Sequence, residues 1–412
     1  MPAPAKATES IQPNWFKPTI AGQYVNSVGI SADGSRVVAG TYFLAYDPKT
    51  AQPLAAPAPF QVGVFAWDNT GAALWNNPIK NVTEGVYWMA ISRDGSSVAA
   101  GGRTSSTQGF IYAYDGATGT PTLNYGELDT RANMVALSED GTYLVAGADQ
   151  IYLFTKNGGQ YGTTPSIQSL SFTGQSGDQA ISVGITSDGS LIVASTASGY
   201  VVLIPNNGGT LGTPVYWQIP SGAIHWAAIA AGGSTFAAGA TAPAADGSGN
   251  VGAVFCFDAN SSARTLQPLW SLPMSDCENC RCVYVDDQGA FISAVGNPST
   301  GGLNGGYVYL FKNVGGTGTE MWNYETLRNP NLTTMDAHSG YITVADGYPD
   351  ATHQQASPGH YYLLDMMGAL QWVYETDNMS WPMVISANAA GVFAGCDNGQ
   401  VYYFATGFSG RK

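Results

Sequence analysis

The chain has 412 residues, 44% of them hydrophobic, with 52 glycines and 22 prolines, enough for a large core but punctuated too densely for long helices. Only 11% of residues are charged and the formal net charge is −14, mainly because Lys and Arg together number just 15. Such a chain has no basic stripe to neutralise phosphates, which argues against nucleic acid and anionic membrane surfaces as partners, and it has no apolar run long enough to insert in a bilayer.

The first residues, "MPAPAKATESIQPNW", lack the apolar core of a signal peptide. The low charge and the abundance of Tyr, Thr, Asn, Ser and Gly are those of a secreted or periplasmic protein, so the expectation is an extracytoplasmic chain whose targeting segment has been removed. The alternative is a cytoplasmic protein. Residues 13–20, "PNWFKPTI", have the form of a strand carrying a tryptophan.

A phrase then appears that returns along the chain. "VGISADGSRVVAG" begins at Val28, "MAISRDGSSVAAG" at Met89, "VALSEDGTYLVAG" at Val135 and "VGITSDGSLIVAS" at Val183. Four degenerate copies follow: "AAIAAGGSTFAAG", "VYVDDQGAFISAV", "TMDAHSGYITVAD" and "MVISANAAGVFAG". Each reads as strand, tight turn, strand, with Asp-Gly or Gly-Gly supplying the positive φ of a hairpin. The residues that end the first strand are Ser31, Ser92, Ser138, Thr186, Ala230, Asp286, Ala337 and Ser386, spaced 44 to 61 apart. An aromatic third strand follows each phrase, as in "GVFAWD", "FIYAYD" and "YVYLFK". A fourth strand then often carries Trp, as in "ALWNNP" and "EMWNYE", while blades two and three have "TLNYGE" and "SLSFTG". A period near fifty with four strands per unit is that of a propeller blade.

After "VYYFA", Val401 to Ala405, only seven residues remain, so the eighth unit lacks a fourth strand. Residues 13–20 are expected to supply it and close the ring, which removes two free strand edges. The expected fold is all-β: one domain over residues 1–412, an eight-bladed β-propeller of four-stranded antiparallel blades, with seven blades the rival count. Residues 41–60 read as an insertion loop in blade one, with a second Ala-x-Asp-x-x-Thr at Ala45 to Thr50.

Two families share parts of this pattern. Ala113 to Gly119, "AYDGATG", and Ala66 to Trp75, "AWDNTGAALW", resemble the tryptophan-docking repeat of the quinoprotein (PQQ-like) dehydrogenases, Ala-x-Asp-x-x-Thr-Gly followed by Trp. Leu123 stands where the first copy would have its Trp, and the second has one residue deleted. The "S-x-DG" turn looks more like WD40 repeats, without their His and Trp-Asp signatures. Both resemblances imply the propeller fold and leave function to the site. The quinoprotein resemblance would imply a quinone held over adjacent cysteines with a calcium ion; the chain has no Cys-Cys pair, and no Cys-x-x-Cys-His for haem.

In such a ring the variable face is the one where fourth-to-first and second-to-third loops emerge. Five residues before each anchor the chain enters the channel there, at Asn26, Tyr87, Asn133, Ile181, His225, Arg281, Leu332 and Trp381, with Trp88, Met134, Trp226 and Cys282 next in line. Tyr87, Trp88, Asn133, His225, Trp226, Arg281 and Trp381 are therefore the candidate ligand-binding residues. Nearby loops contribute Glu84, Glu127, Asp129, Asp178, Asp276, Glu278, Glu325, Glu375 and Asp377, so the expected mouth is aromatic with an acidic fringe and only Arg131, Arg281 and Arg328 opposing.

"CENCRC" holds Cys277, Cys280 and Cys282. It reads as a disulfide from Cys277 to Cys280 or Cys282, as free structural thiols, or as a soft-metal site completed by His225. The metal ion is the one cofactor the sequence suggests. His353 and His360 fall in the long blade-seven loop and read as polar loop residues, with a metal or substrate role the alternative. No Gly-x-Ser-x-Gly elbow, His-Glu-x-x-His helix or phosphate-cradling loop is present. The functional expectation is a non-catalytic binding or scaffold propeller for a protein, a glycan or a small cationic ligand. The alternative is a quinoprotein-like oxidoreductase or a metal-dependent hydrolase or lyase, with its site at the channel mouth.

Overall fold

A computed structural model describes residues 11–43, 61–105, 108–247, 249–260, 265–298, 305–336, 338–347 and 358–406. Most of the insertion expected at 41–60, and the tips of the long loops of blades five, six and seven, lie outside the described residues. The strands form eight antiparallel blades; blade one, for example, runs Tyr24–Ile30, Arg36–Tyr42, Gln61–Asp68, Ala73–Lys80. The last blade takes its outer strand from the other end of the chain, Trp15–Pro18 pairing with Gln400–Ala405. The ring is thus eight-bladed and closed by the N-terminal strand. Blade three departs from expectation. Its outer strand is Ser166–Gln168, and "SLSFTG" turns instead through a short 3-10 segment at Ser171–Thr173.

The repeated phrase has a local mechanism. In blade one Ser31 Oγ accepts from Arg36 N (3.0 Å) and donates to Asp33 Oδ1 (2.6 Å), which also accepts from Ser35 N (2.9 Å). Gly34, at φ +72°, makes the turn. Partial burial works against ionisation of Asp33, but the donated hydrogen bonds outweigh it and hold its carboxyl below the usual range. Blades two, three and four repeat the arrangement at Ser92, Ser138 and Thr186. In blade six Asp286 takes over the anchor, its carboxylate accepting from Phe291 N at 2.7 Å. In blade seven the anchor is Asp336, paired with Tyr341, and not Ala337. Adjacent turns are also joined by backbone bonds, among them Ala32 N to Arg93 O and Ser187 N to Ala231 O.

The outer strands are bolted to their neighbours by tryptophan. Trp75 of blade one donates Nε1–H to Gly116 O of blade two (2.9 Å), and its ring lies on Gly119. Trp322 of blade six does the same to Met366 O (2.9 Å) and Gly368 in blade seven. The glycines are required twice over: Gly119 has φ +70°, and a Cβ there would stand 2.6 Å from the Trp75 ring. Gly119→Ala is therefore expected to cost roughly 2–4 kcal/mol, of which left-handed strain supplies about 1–2. Gly158→Ala, at φ +58° with nothing within 4 Å of its Cβ, is expected to cost the strain alone. Denaturant melts of the two variants check this, and equal losses would remove the docking account.

Candidate functional site

The innermost strands line the channel, and seven of the eight carry a register shift at the same level. The shifts fall between Val25 and Ser27, Val86 and Trp88, Ala180 and Ser182, Ile224 and Trp226, Cys280 and Cys282, Pro330 and Leu332, and Ser380 and Met383. A bulge leaves one residue out of the ladder and re-aims it. Here the extra residues are Asn26, Tyr87, Ile181, His225, Arg281 and Asn331, with Trp381 and Pro382 in blade eight. Blade three places Asn133 just ahead of its strand, with its N–H on Gly147 O (2.8 Å). Leu332, expected in the ring, is buried one level deeper, where it borders the channel's apolar interior; Asn331 takes its place because the blade-seven anchor sits one residue earlier.

All seven candidate ligand-binding residues border one cavity of about 240 Å³ at this mouth, joined by Arg131, Ile181 and Asn331. Its floor is the Trp88–Trp226 pair, ring centroids 5.1 Å apart and inclined at 60°. These tryptophans also border a second, apolar chamber of about 270 Å³ deeper in the channel, with Met89, Met134, Val183 and Leu332. Below that, Arg93 Nη1 of blade two reaches Asp287 Oδ2 of blade six at 3.0 Å. A third cavity, about 600 Å³, opens among the turns of the opposite face with Asp286, Asp336 and Phe291. His338 is exposed there.

The electrostatics of the upper mouth differ from the expected acidic fringe. No carboxylate lines its cavity among the described residues, whereas two guanidinium groups do. Arg131 Cζ lies 3.7 Å over the Tyr87 ring, and Arg281 Cζ lies 5.3 Å from the Trp381 ring centroid. The acids are spent elsewhere. Glu84 is buried behind the wall, bound to Arg131 Nη1 (2.8 Å) and Arg103 Nη1 (3.2 Å). Asp178 accepts from Ser198 N, and Asp276 from Tyr309 OH. Asp129, Glu278 and Asp377 lie on loops, Glu325 and Glu375 lie near the ends of the outer strands Thr317–Thr326 and Leu370–Thr376, and the Glu127 side chain is outside the described ones. His225 Nε2 meets Thr241 Oγ1 at 2.7 Å. Burial, and then the charge of Arg281, hold its pKa below the ordinary value, so the ring is neutral at pH 7.

The asparagines of the ring are structural clasps. Asn26 Nδ2 donates to Tyr87 O (2.7 Å), Asn133 Nδ2 to Ala180 O (3.0 Å) and Asn331 Nδ2 to Ser380 O (3.1 Å), each reaching the next blade. Asn133 Oδ1 in turn accepts from Arg131 Nε at 3.1 Å. Asn133 thus orients Arg131 rather than standing ready for a ligand.

The cysteine cluster gives neither a disulfide nor a metal centre. All five cysteines are free thiols. The bulge at Arg281 makes Cys280 and Cys282 pair with the adjacent residues Gly296 and Val295, so the two sulfurs face opposite sides of the blade. Cys277 and Cys280 pack between blades five and six, Cys282 between six and seven. Burial raises all three thiols, Cys282 to about 12, which withholds the thiolate a soft metal needs. With His225 turned to Thr241, no three His, Cys, Asp or Glu side chains among the described residues form a metal-ligating group. Small thiols fit because the neighbouring glycines leave little room: a Cβ on Gly239 would stand 2.6 Å from Cys280 Sγ.

One polar cluster escaped sequence reading. His360 is not in a loop but buried in the strand Gly359–Asp365, while His353 lies outside the described residues. Asp346, fully buried, accepts from His360 N (2.7 Å), His360 Nδ1 (2.8 Å), Tyr362 OH (2.6 Å) and Arg328 N (2.8 Å). Burial works against a charged His360, but Asp346 and then Glu375 outweigh it and raise its pKa. The Asp-Gly that ends the second strand of blade seven, Tyr341–Asp346, is the local hint of this clamp.

No family model and no curated protein matches the chain. Solved structures do. The Dos1 propeller aligns with a TM-score of 0.67 at 11% identity, covering 96% of each chain. Sqt1 of Chaetomium thermophilum, bound to the N-terminus of the ribosomal protein L10, aligns at 0.63 and 12%, covering 94% of this chain and 98% of that one. The Cps50 (Swd1) β-propeller domain of Myceliophteria thermophila aligns at 0.53 and 13%, covering 78% and 97%. These are WD40 propellers, and the chain shares a WD40-like propeller fold with them. At such identities the likeness speaks for fold alone.

Proposed function

We propose that this chain is a non-catalytic scaffold that holds a polypeptide partner on its variable face, with the channel mouth as the anchoring pocket. The observation that carries the reading is the convergence of bulged residues from the inner strands on one aromatic-walled cavity. A bulge at one level in successive blades is a costly regularity unless it builds a surface. Sqt1, of similar fold, is bound to the N-terminus of a ribosomal protein, which makes a polypeptide the favoured occupant. Catalysis finds less support. His225 is neutral and bonded to Thr241 Oγ1, and the buried thiols are held in their protonated form. A glycan or small cation is less suited than a polypeptide, since Trp88 and Trp226 cover each other and guanidinium groups line the wall. We place the protein outside the cytoplasm on its low charge and polar composition.

A random-peptide display library, with both peptide ends fused, tests this. Enriched peptides are expected to lose roughly 10- to 100-fold in affinity to Trp381→Ala, as for anchor aromatics at interfaces, while the melting temperature holds. No enrichment, or binders indifferent to both Trp381→Ala and Ile181→Arg, would overturn the reading.

A further inference from the structure

The apolar chamber beneath the channel mouth has a volume of about 270 Å³, and all eight blades reach it. Trp88 and Trp226 stand between it and the mouth, bordering both. Toward the opposite face the channel is crossed by Arg93, which is held by Asp287 at 3.0 Å and Glu139 at 3.6 Å. Below the level of the bulges the inner strands present apolar side chains to the chamber, such as Val28, Met134, Ile185 and Val384. No Asp, Glu, Lys, Arg or His lines it among the described residues. Its Ser, Thr and Cys side chains are each bonded within the protein. Ser27 Oγ accepts from Met89 N (2.8 Å), and Thr333 Oγ1 donates to Ser293 Oγ (3.1 Å). Thr334 Oγ1 meets Thr343 Oγ1 (2.7 Å), and Cys282 Sγ donates to Val283 O (3.6 Å). A buried water needs about two to four polar partners, and cavities that lack them stay dry and take up apolar molecules.

We propose that this chamber is a binding site for a small uncharged aromatic molecule, one ring with a short substituent. Size sets the class. An apolar cavity of about 150 Å³ already admits benzene, while the chamber falls below the roughly 300 Å³ at which sites for drug-sized ligands begin. The wall favours a ring over an alkane. Trp88, Trp226 and Tyr284 offer aromatic faces and edges, and Met89 and Met134 offer thioethers, which also favour ring partners. A charged group would lose its hydration with nothing on the wall to replace it. Entry is from the mouth, where Trp88 and Trp226 are partly exposed, because the ion pairs of Arg93 cross the other route. The site does not depend on the polypeptide reading above.

Fluorine NMR titration of 4-fluorotoluene, with toluene, benzoate and benzylammonium as competitors, tests the assignment. Saturable binding is expected, and toluene should compete at similar concentrations. The two charged rings should need roughly 100-fold more or fail to compete. Ala228→Leu puts a larger side chain on the chamber wall and should weaken binding about tenfold or more, without lowering the melting temperature of the free protein. Trp381 borders the mouth but not the chamber, so Trp381→Ala should leave the affinity unchanged. No saturable binding up to the solubility of the probe, or equal competition by benzoate or benzylammonium, would overturn the proposal. So would binding that Trp381→Ala abolishes and Ala228→Leu spares, which would put the ring at the mouth. If Ala228→Leu fails to fold, Ala136→Leu makes the same test from blade three, and the comparison of neutral and charged rings on the unaltered protein needs neither variant. No peptide takes part, so failure here leaves the polypeptide reading standing, and failure of that reading leaves this result standing.

Discussion

Deletion of residues 1–22 is expected to cost on the order of 5 kcal/mol or more and to make the protein aggregate, an effect set by one four-residue strand. Trp15–Pro18 pairs with Gln400–Ala405, Trp15 opposite Tyr403 and Pro18 opposite Gln400. The Trp15 ring stacks on Tyr403 at 5.4 Å and nearly parallel, and also contacts Phe393 and Trp67. Its Nε1–H reaches Asn69 O in blade one at 2.9 Å, so this strand completes blade eight and bolts it to blade one. Thr19 adds N–H and Oγ1–H bonds to Gly399 O. Truncating a well-packed Trp alone costs about 3–5 kcal/mol, and total stabilities are about 5–15. Without the strand, Val401 to Ala405 becomes an open edge. Melting curves and light scattering of the truncated chain check the result, and a melting temperature equal to that of the full chain would show that blade eight does not depend on it.

The ring was legible in sequence because each repeat residue has a local task. Ser or Thr clips the turn, Asp receives its hydroxyl, and Gly takes the positive φ. These demands act over five residues and leave a trace even in worn copies. The trace slipped where chemistry moved. In blade seven the carboxylate of Asp336 occupies the anchor, and the frame read from Ala337 displaced Asn331 by Leu332. Bulges were not legible, since an extra residue shows only against the partner strand. That one device explains two misreadings. It separates Cys280 from Cys282, which spacing alone places on one face, and it swings Arg281 toward Trp381. The charge of the mouth was likewise hidden: counting loop acids takes no account of Glu84 being consumed by Arg103 and Arg131.

The second large effect concerns the clamp under blade seven. Asp346→Ala leaves four donors, His360 N, His360 Nδ1, Tyr362 OH and Arg328 N, without their acceptor in a buried site. The expected loss is about 3–5 kcal/mol, the range for breaking a buried charged pair. His360 gives the clamp a pH dependence of known sign. Its pKa is raised in the folded protein, because the pull of Asp346 and Glu375 exceeds the opposing effect of burial. The stabilisation is therefore complete below the ordinary histidine value of 6.5 and is lost as pH climbs through the raised one. Asp397 acts in the same direction over a lower window: burial pushes its pKa from 3.8 to about 8, so its contribution declines across that range. The two are separated by variant. His360→Gln should flatten the fall in melting temperature above about pH 6.5, and Asp397→Asn should flatten the fall beginning near pH 4. Thermal melts of both variants and the unaltered chain across that range decide the matter. If His360→Gln keeps the full slope above pH 6.5, the imidazole is not charged in the fold and Asp346 is held by its other donors alone.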